Sequence, residues 1–207
     1  MDWQLDATEA RVLGALMEKE ITTPDYYPLS TNALVNACNQ KSNREPVVSY
    51  DEDTVEEALH NLRDKGLAMR VTGDGRVAKH EQRFTEKFNL GRREAALLCV
   101  LMLRGPQTVG ELRGRSERLY TFDDLEGVEA TLARLAEMEY VKKLPRRTGF
   151  KEQRWAQLLA GDVDEVGEET AAPAAERGPG DRERIVKLEA DLAALRQEFD
   201  EFRRKFE

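Results

Sequence analysis

The sequence has few of the residues that build disulfide frameworks, metal centres or membrane spans. Its 207 residues include two cysteines and two histidines. Cys38 and Cys99 lie among apolar neighbours and 61 positions apart, so we expect two buried thiols rather than a disulfide. No apolar run approaches the roughly 18 residues of a membrane span, and the N-terminus lacks the basic and apolar regions of a signal peptide. We therefore expect a cytoplasmic protein with no membrane contact, no metal and no cofactor.

The sequence also lacks a recognisable catalytic constellation. We find no paired nucleophile and base, no metal-ligand spacing and no phosphate-cradling loop. The Gly-Asp-Gly stretch at 73–75 is too short for a dinucleotide fingerprint and is typical of a hairpin turn. Cys38, His60 and His80 lack a fourth partner for a zinc site. We expect a protein that is not an enzyme.

Charge is unevenly distributed along the chain. The net charge of minus 8 disfavours binding of the whole chain to nucleic acid. Residues 1–90 contain 11 Lys and Arg against 16 Asp and Glu, residues 91–158 contain 13 against 10, and residues 159–207 contain 8 against 14. Because a polyanion responds to local charge, the basic middle segment should meet it first.

Capping residues and helical spacing predict three helices and a hairpin in residues 1–90. Asp6 has the capping-box partner Glu9 and begins the first helix, and Ser30 can cap the second. The third helix begins at Ser49 or Asp51 and ends at a glycine suited to a left-handed conformation, Gly66. The expected spans are 7–20 for the first helix and 67–71 and 76–79 for the strands.

The same order of elements recurs in residues 91–158. The expected spans are 94–103 for the first helix, 109–115 for the second after the cap Thr108, a third helix from Asp123 or Asp124, and strands at 140–144 and 153–158. Three helices followed by a two-stranded hairpin are typical of a winged helix. The predicted fold class is mainly α with small β wings (α+β): two tandem winged-helix domains at 1–90 and 91–158.

The remainder of the chain divides into a linker and a heptad segment. Residues 159–180 are rich in Gly, Ala, Pro and Glu, and this composition predicts a flexible linker. Residues 181–207 carry apolar residues at alternating steps of three and four, which predicts a coiled-coil helix. The seam residues are Ile185, Leu188, Leu192, Leu195, Phe199, Phe202 and Phe206. In a parallel homodimer, each flanking g residue would face an oppositely charged e residue of the partner, whereas a trimer or docking of this helix on its own domains remains an alternative.

Several stretches resemble the signature segments of the bacterial YceH family. They are TTPDYYPLS at 22–30, ACNQKSNREPV at 37–47, KHEQRF at 79–84, LRGPQT at 103–108, GELR at 110–113 and YTFD at 120–123. The likeness covers most of residues 5–158. It implies tandem winged-helix domains and a C-terminal heptad segment. Because the family's function is unsettled and DNA binding is the activity usually suggested for it, the activity has to be argued from the residues.

Basic and amide side chains supply the candidate DNA contacts. Those in the polar stretch 39–46 are Lys41, Asn43 and Arg44, those at the end of the second repeat's second helix are Arg113, Arg115 and Arg118, and those of the second wing are Lys142, Lys143, Arg146, Arg147 and Lys151. Arginine and lysine neutralise phosphates, and amides contact phosphates or base edges. Asn and Ser also satisfy their own backbone in long loops, so for the stretch 39–46 the two interpretations are equally open.

The third helices carry charge of the wrong sign for reading DNA. The first begins with Asp51, Glu52 and Asp53, and its counterpart begins with Asp123 and Asp124. Carboxylates at the end of a helix that enters a groove repel phosphates. We therefore expect a non-enzymatic, transcription-regulator-like protein that holds double-stranded DNA through its second wing and forms a homodimer through its C-terminal helix. The alternative is an adaptor whose tandem winged helices bind protein partners.

Overall fold

A computed structural model describes residues 4–71, 77–146 and 152–161. Four predicted features lie outside these residues: the turn at 73–75, the wing residues Arg147 and Lys151, most of the linker, and the heptad segment at 181–207. The described part of the chain is helical with two small antiparallel sheets. The prediction of a mainly α fold with small β elements is therefore confirmed at this level.

The first repeat folds in the predicted order. Its elements are α1 (Ala7–Thr22), a short 3₁₀ helix (Pro24–Tyr26), β1 (Leu29–Ser30), α2 (Thr31–Cys38), α3 (Glu52–Asp64), β2 (Ala68–Val71) and β3 (Lys79–Gln82). The strands form an antiparallel sheet in the order β1-β3-β2.

The position of β3 differs from the prediction of 76–79. The strand lies three residues later because it pairs with both neighbours, His80 being opposite Leu29 of β1 and Arg70 of β2. Two polar residues, His80 and Gln82, face the interior, so the buried face of this strand is not apolar. An alternation of apolar residues therefore could not locate it.

The second repeat follows a short connecting helix. Its elements are α4 (Phe84–Lys87), α5 (Arg92–Arg104), α6 (Val109–Ser116), α7 (Leu125–Glu137), β4 (Val141–Lys143) and β5 (Trp155–Gln157). An isolated bridge between Gln107 and Trp155 occupies the place that β1 has in the first repeat. The predicted duplication of element order is visible in both halves.

Local side-chain caps mark the starts of α1, α2, α3, α6 and α7, whereas α4 and α5 begin without one. Asp6 and Glu9 form the predicted capping box of α1, and Thr108 forms a second one with Glu111 at the start of α6. The N-caps of α2, α3 and α7 accept a hydrogen bond from the backbone three residues later, as expected for such residues: they are Ser30, Asp51 and Asp124. At the far end of α3, Gly66 has the predicted positive φ, +66°.

The hydrophobic core is continuous between the two repeats. It includes Val12, Leu13 and Leu16 of α1 and most of α5. The two helices approach closely at Gly14, where an added Cβ would lie 3.0 Å from the Leu103 side chain. Cys99 and Cys38 are both buried and unpaired, which confirms the prediction for the two thiols.

Candidate nucleic-acid interface

The basic residues of the second hairpin become more exposed along β4. Val141 is buried, Lys142 is half-buried and Lys143 is exposed. The Lys143 ammonium lies 5.8 Å from the centroid of the Trp155 ring on the paired strand, and Arg146 is exposed just beyond β4.

The three arginines of the α6 region have different environments. Arg113 donates to the backbone oxygens of Phe122 and Asp123, at 3.3 and 2.7 Å, and so holds the loop that leads into α7. Arg115 pairs with Glu111 at 3.2 Å and donates to the side-chain oxygen of Gln107. Arg118 is exposed and has no ion pair among the described residues. Of the three, Arg118 is the most available to a phosphate.

The hairpin and α6 are connected through Gln107. Its backbone N–H and carbonyl both bond to Trp155, at 3.0 and 2.7 Å, while its side-chain oxygen accepts from Arg115. Lys143 lies over the same Trp155 ring. The structure therefore brings the predicted cations of the hairpin and of α6 to neighbouring elements, although they are separated in sequence.

The polar stretch 39–46 divides into exposed and buried residues. Lys41 is exposed. Asn43 is half-buried, has a φ of +60°, and accepts a hydrogen bond from Arg104. Of the two cations in this stretch, only Lys41 is exposed, and the exposed Glu45 carries the opposite charge.

Arg44 has to be removed from the candidate contacts. Its side chain is fully buried, and its guanidinium binds Glu18 at 2.6 and 3.2 Å and donates to the backbone oxygen of Ala37. A buried charge is retained only when it is paired and hydrogen-bonded, and this one has a partner at each donor group. Arg44 fastens the loop to α1 and does not face a phosphate.

Arg104 is a functional candidate that sequence analysis missed. It ends α5, where a basic residue is an ordinary partner of the helix dipole, so its position gave no signal. In the structure it lines a pocket with Arg115 and Arg118, which we call the arginine pocket. The pocket adds a third cation to the two that the sequence identified.

The third helices carry exposed carboxylates at their N-termini. The side chains of Asp51 and Asp124 cap α3 and α7. Hydrogen bonds from Thr54 hold the pKa of Asp51 below its ordinary value. The neighbouring Glu52 and Asp53 of α3, and Asp123 and Glu126 beside α7, are exposed. These helix ends are therefore negative surfaces.

A second recess borders the N-terminus of α7. It has a volume of about 350 Å³ and is lined by aromatic, acidic and basic residues: Tyr120, Phe122, Asp123, Asp124, Glu126 and Arg93. The Arg93 guanidinium lies 5.4 Å from the Tyr120 ring centroid and donates to its hydroxyl. This acidic recess already accommodates one guanidinium against an aromatic ring.

The three residues considered as zinc ligands have separate environments. Cys38 is buried on α2, His60 is exposed and faces Asp64 at 3.5 Å, and His80 is buried with its Nε2 3.2 Å from the Thr31 hydroxyl. Within residues 4–71, 77–146 and 152–161, no group of three or more His, Cys, Asp or Glu side chains is arranged to hold a metal ion. In the same ranges, none of the helices combines the length and apolarity needed to cross a membrane.

Comparison with known proteins assigns the chain to a family. Residues 5–150 match the family model described as "Protein of unknown function, DUF480". The chain is 74% identical over 207 residues to a UPF0502 protein of Solibacter usitatus, covering all of both chains. It is 55% identical over 196 residues to a UPF0502 protein of Citrifermentans bemidjiense, with 93% of this chain and 90% of the relative covered. It is 47% identical over 209 residues to the UPF0502 protein YceH of Salmonella paratyphi B, with 97% and 96% covered. These matches extend over nearly the whole chain, and the protein is therefore a member of the UPF0502 family, to which YceH belongs.

Proposed function

We propose that this protein is a non-enzymatic, transcription-regulator-like protein that binds double-stranded DNA through the phosphate backbone. The observation that carries the proposal is the placement of exposed cations on two neighbouring elements of the second repeat. Lys143 and Arg146 of the hairpin and Arg118 after α6 all face solvent. Cations on one surface supply the counterion release that drives binding to a polyanion.

The proposed architecture is two tandem winged helices. In each repeat, three helices precede a hairpin, and a short strand or bridge before the second helix pairs with the returning strand. This order is that of a winged helix, in which the hairpin is the wing. The basic second wing would then lie along the backbone of the duplex.

Binding of this kind should have little sequence preference. The exposed carboxylates at the N-termini of α3 and α7 would face phosphates if either helix entered a major groove. Contacts to phosphates position a protein but carry no base information. We therefore place the DNA contact on the wing and α6 and not on the third helices.

Salt-dependent binding to a random-sequence duplex tests the proposal. If four cations meet phosphates, the slope of log K against log salt should be about −3.6. Replacing Arg146 and Arg147 together by Ala should weaken binding to different duplexes equally and reduce the slope by about 1.8. Arg92→Gln with Arg93→Gln is the matched control, because it removes two exposed cations at the start of α5, outside the hairpin and α6. No binding at low salt, or an unchanged slope in the double variant, would refute the wing contact.

The proposal includes dimerisation by the heptad segment. In the parallel register, Arg184 faces Glu189, Asp191 faces Arg196 and Glu198 faces Arg203, and all three pairs attract. A cysteine added after Glu207 through a short flexible spacer should therefore crosslink under mild oxidation. A monomeric mass by light scattering at tens of micromolar would show that the segment does not dimerise.

The acidic recess favours a second candidate function, that of an adaptor for protein partners. A recess of about 350 Å³ whose lining includes two aromatic rings and three carboxylates is complementary to a basic side chain of a partner. The two functions differ in their response to charge reversal. Replacing Asp123 and Glu126 by Lys should strengthen DNA binding by removing repulsion, whereas it should abolish capture of a basic peptide.

A further inference from the structure

The arginine pocket lies between the first and second repeats. Glu18 and Thr22 of α1 and Asn43 of the following loop line one side. Arg104 of α5, with Arg115 and Arg118 from the end of α6, lines the other. The lining also includes three apolar residues, Val100, Leu103 and Leu119. Apolar surroundings lower the local dielectric constant, which strengthens an ionic contact made there.

The positive charge in this pocket exceeds the negative charge. Glu18 is held by the buried Arg44 at 2.6 Å, and Arg115 is matched by Glu111 at 3.2 Å. Arg104 donates to the neutral side chain of Asn43, and neither Arg104 nor Arg118 forms an ion pair with a carboxylate in the described ranges. In the part of the chain that the structure describes, two guanidinium groups of the pocket therefore form no ion pair with a carboxylate, although Glu45 and Glu18 still attract Arg104.

Arg104 is held in this place against an electrostatic cost. Partial burial lowers its pKa, the nearby charges of Arg115 and Arg44 lower it further, and Glu45 and Glu18 act in the opposite direction. Basic residues in the last turn of a helix are ordinary partners of the helix dipole, which accounts for Arg104 and Arg115 singly. It does not account for Arg118, which lies beyond the end of α6 and lines the same pocket.

We propose that the arginine pocket binds a terminal phosphate group. A terminal phosphate carries a charge of about −1.5 to −2 at pH 7, which matches the charge of Arg104 and Arg118, whereas a phosphodiester carries one charge. Guanidinium forks bind phosphate oxygens in bidentate geometry. The recess has a volume of about 30 Å³, which is small for a phosphate, so the group would bind at the opening of the recess.

This site shares Arg118 with the proposed DNA contact but extends beyond it, and phosphate binding here does not require the hairpin cations. Arg104 lies on α5 and not on the hairpin, and the pocket joins elements of both repeats. The phosphate has two possible sources, a free phosphorylated small molecule or the 5′ end of a nucleic acid strand. Both present the same chemical group to the three arginines.

Titration of the full-length protein with inorganic phosphate, AMP and adenosine tests the site. Phosphate and AMP should shift the side-chain NMR signals of Arg104 and Arg118, and adenosine should not. Arg118→Gln removes a charge that makes no ion pair among the described residues, so the fold should be unaffected, and it should weaken phosphate binding about ten-fold or more. Arg104→Gln should have the same effect, with the thermal midpoint as a check on folding. Arg92→Gln, at the opposite end of the same helix, is the control of equal charge.

The outcomes separate this site from the DNA proposal and identify the source of the phosphate. Lys143→Gln with Arg146→Gln should impair duplex binding and leave AMP binding unchanged. AMP binding tighter than that of a 5′-phosphorylated duplex supports a small-molecule ligand, and a 5′-phosphorylated duplex that binds more tightly than its 5′-hydroxyl counterpart supports a strand end. The proposal is wrong if about 10 mM phosphate leaves the Arg104 and Arg118 signals unchanged, or if Arg92→Gln weakens binding as much as Arg118→Gln.

Discussion

Replacing Arg44 by Met should lower the free energy of unfolding by about 3 kcal/mol. Methionine retains most of the apolar stem, so the cost comes from the lost guanidinium and not from a cavity. That guanidinium donates to both carboxylate oxygens of Glu18, at 2.6 and 3.2 Å, and to the backbone oxygens of Ala37 and Asn43. Without it, a carboxylate that is 8% exposed remains in the interior.

The size of this loss follows from the Glu18 carboxylate that remains buried in the variant. Breaking a buried ion pair by removing one partner costs about 3–5 kcal/mol, because the other charge remains desolvated. The Lys19 ammonium lies 3.3 Å from the same Glu18 oxygen, so part of the charge stays compensated and the lower end of the range applies. This is a large fraction of the 5–15 kcal/mol of stability that is typical of a natural protein.

The loss should depend on pH. Burial raises the pKa of Glu18, but the hydrogen bonds and charge of Arg44, with help from Lys19, outweigh burial and hold that pKa below its ordinary value. In the natural protein this pair therefore stabilises the fold above about pH 4.3, the ordinary pKa of a glutamate, and its contribution is lost as the pH falls through the lower pKa of the folded state. In Arg44→Met, only Lys19 opposes the effect of burial on the pKa of Glu18, so that pKa rises. The difference between the two proteins should thus shrink as the pH falls from about 8 to about 5.

Urea unfolding of four proteins measures these effects: the natural chain, Arg44→Met, Glu18→Leu and the double variant. Each single variant leaves one buried charge without its main partner, whereas the double variant removes both charges. The double variant should therefore lose less stability than the sum of the single losses, by about 2 kcal/mol or more. A loss below about 1 kcal/mol for Arg44→Met, or strict additivity in the double variant, would refute the description of this pair.

Three further substitutions or treatments test the core and the caps. Gly14→Val should destabilise the protein by about 1–3 kcal/mol in urea unfolding, because a Cβ there would lie 3.0 Å from the Leu103 side chain. An unchanged unfolding midpoint would contradict the close packing of α1 on α5. Cys38 and Cys99 should not react with iodoacetamide at pH 8 until the chain unfolds. Burial raises the pKa of both thiols, that of Cys38 to about 12. Rapid alkylation of the folded protein, detected by mass spectrometry, would contradict their burial. Thr108→Ala should cost about 1 kcal/mol by removing the cap of α6, whereas Thr108→Ser should retain most of that stability in thermal unfolding.

The starts of the capped helices were predictable because caps act over three residues, whereas α5, which has no side-chain cap, begins at Arg92 and not at the expected residue 94. Asp6 bonds to the backbone of Glu9, and Thr108 and Asp124 act in the same way at α6 and α7. No distant partner takes part in such a contact, so the amino-acid order is sufficient to predict it. The returning strand of the first hairpin was not predictable on this basis, because His80 pairs with residues about 10 and about 50 positions earlier and faces the core with a polar ring.

Tertiary contacts determine which of the charged residues are buried. Lys41 and Arg44 lie in one polar stretch, and nothing nearby in sequence distinguishes them. Arg44 turns inward because α1 places Glu18, 26 residues away, beside it, and Lys41 stays in solvent.

Most of the helices, their caps, the duplicated order of elements and the basic character of the second repeat can be predicted from the amino-acid order. These features follow from side-chain spacing and from hydrogen bonds across one turn. The burial of individual cations, and the pocket that Arg104 lines with Arg115 and Arg118, depend on tertiary contacts. A charge pair or a pocket joins residues that are distant in sequence, and their approach is set by the packing of α1 on α5 and not by any local pattern.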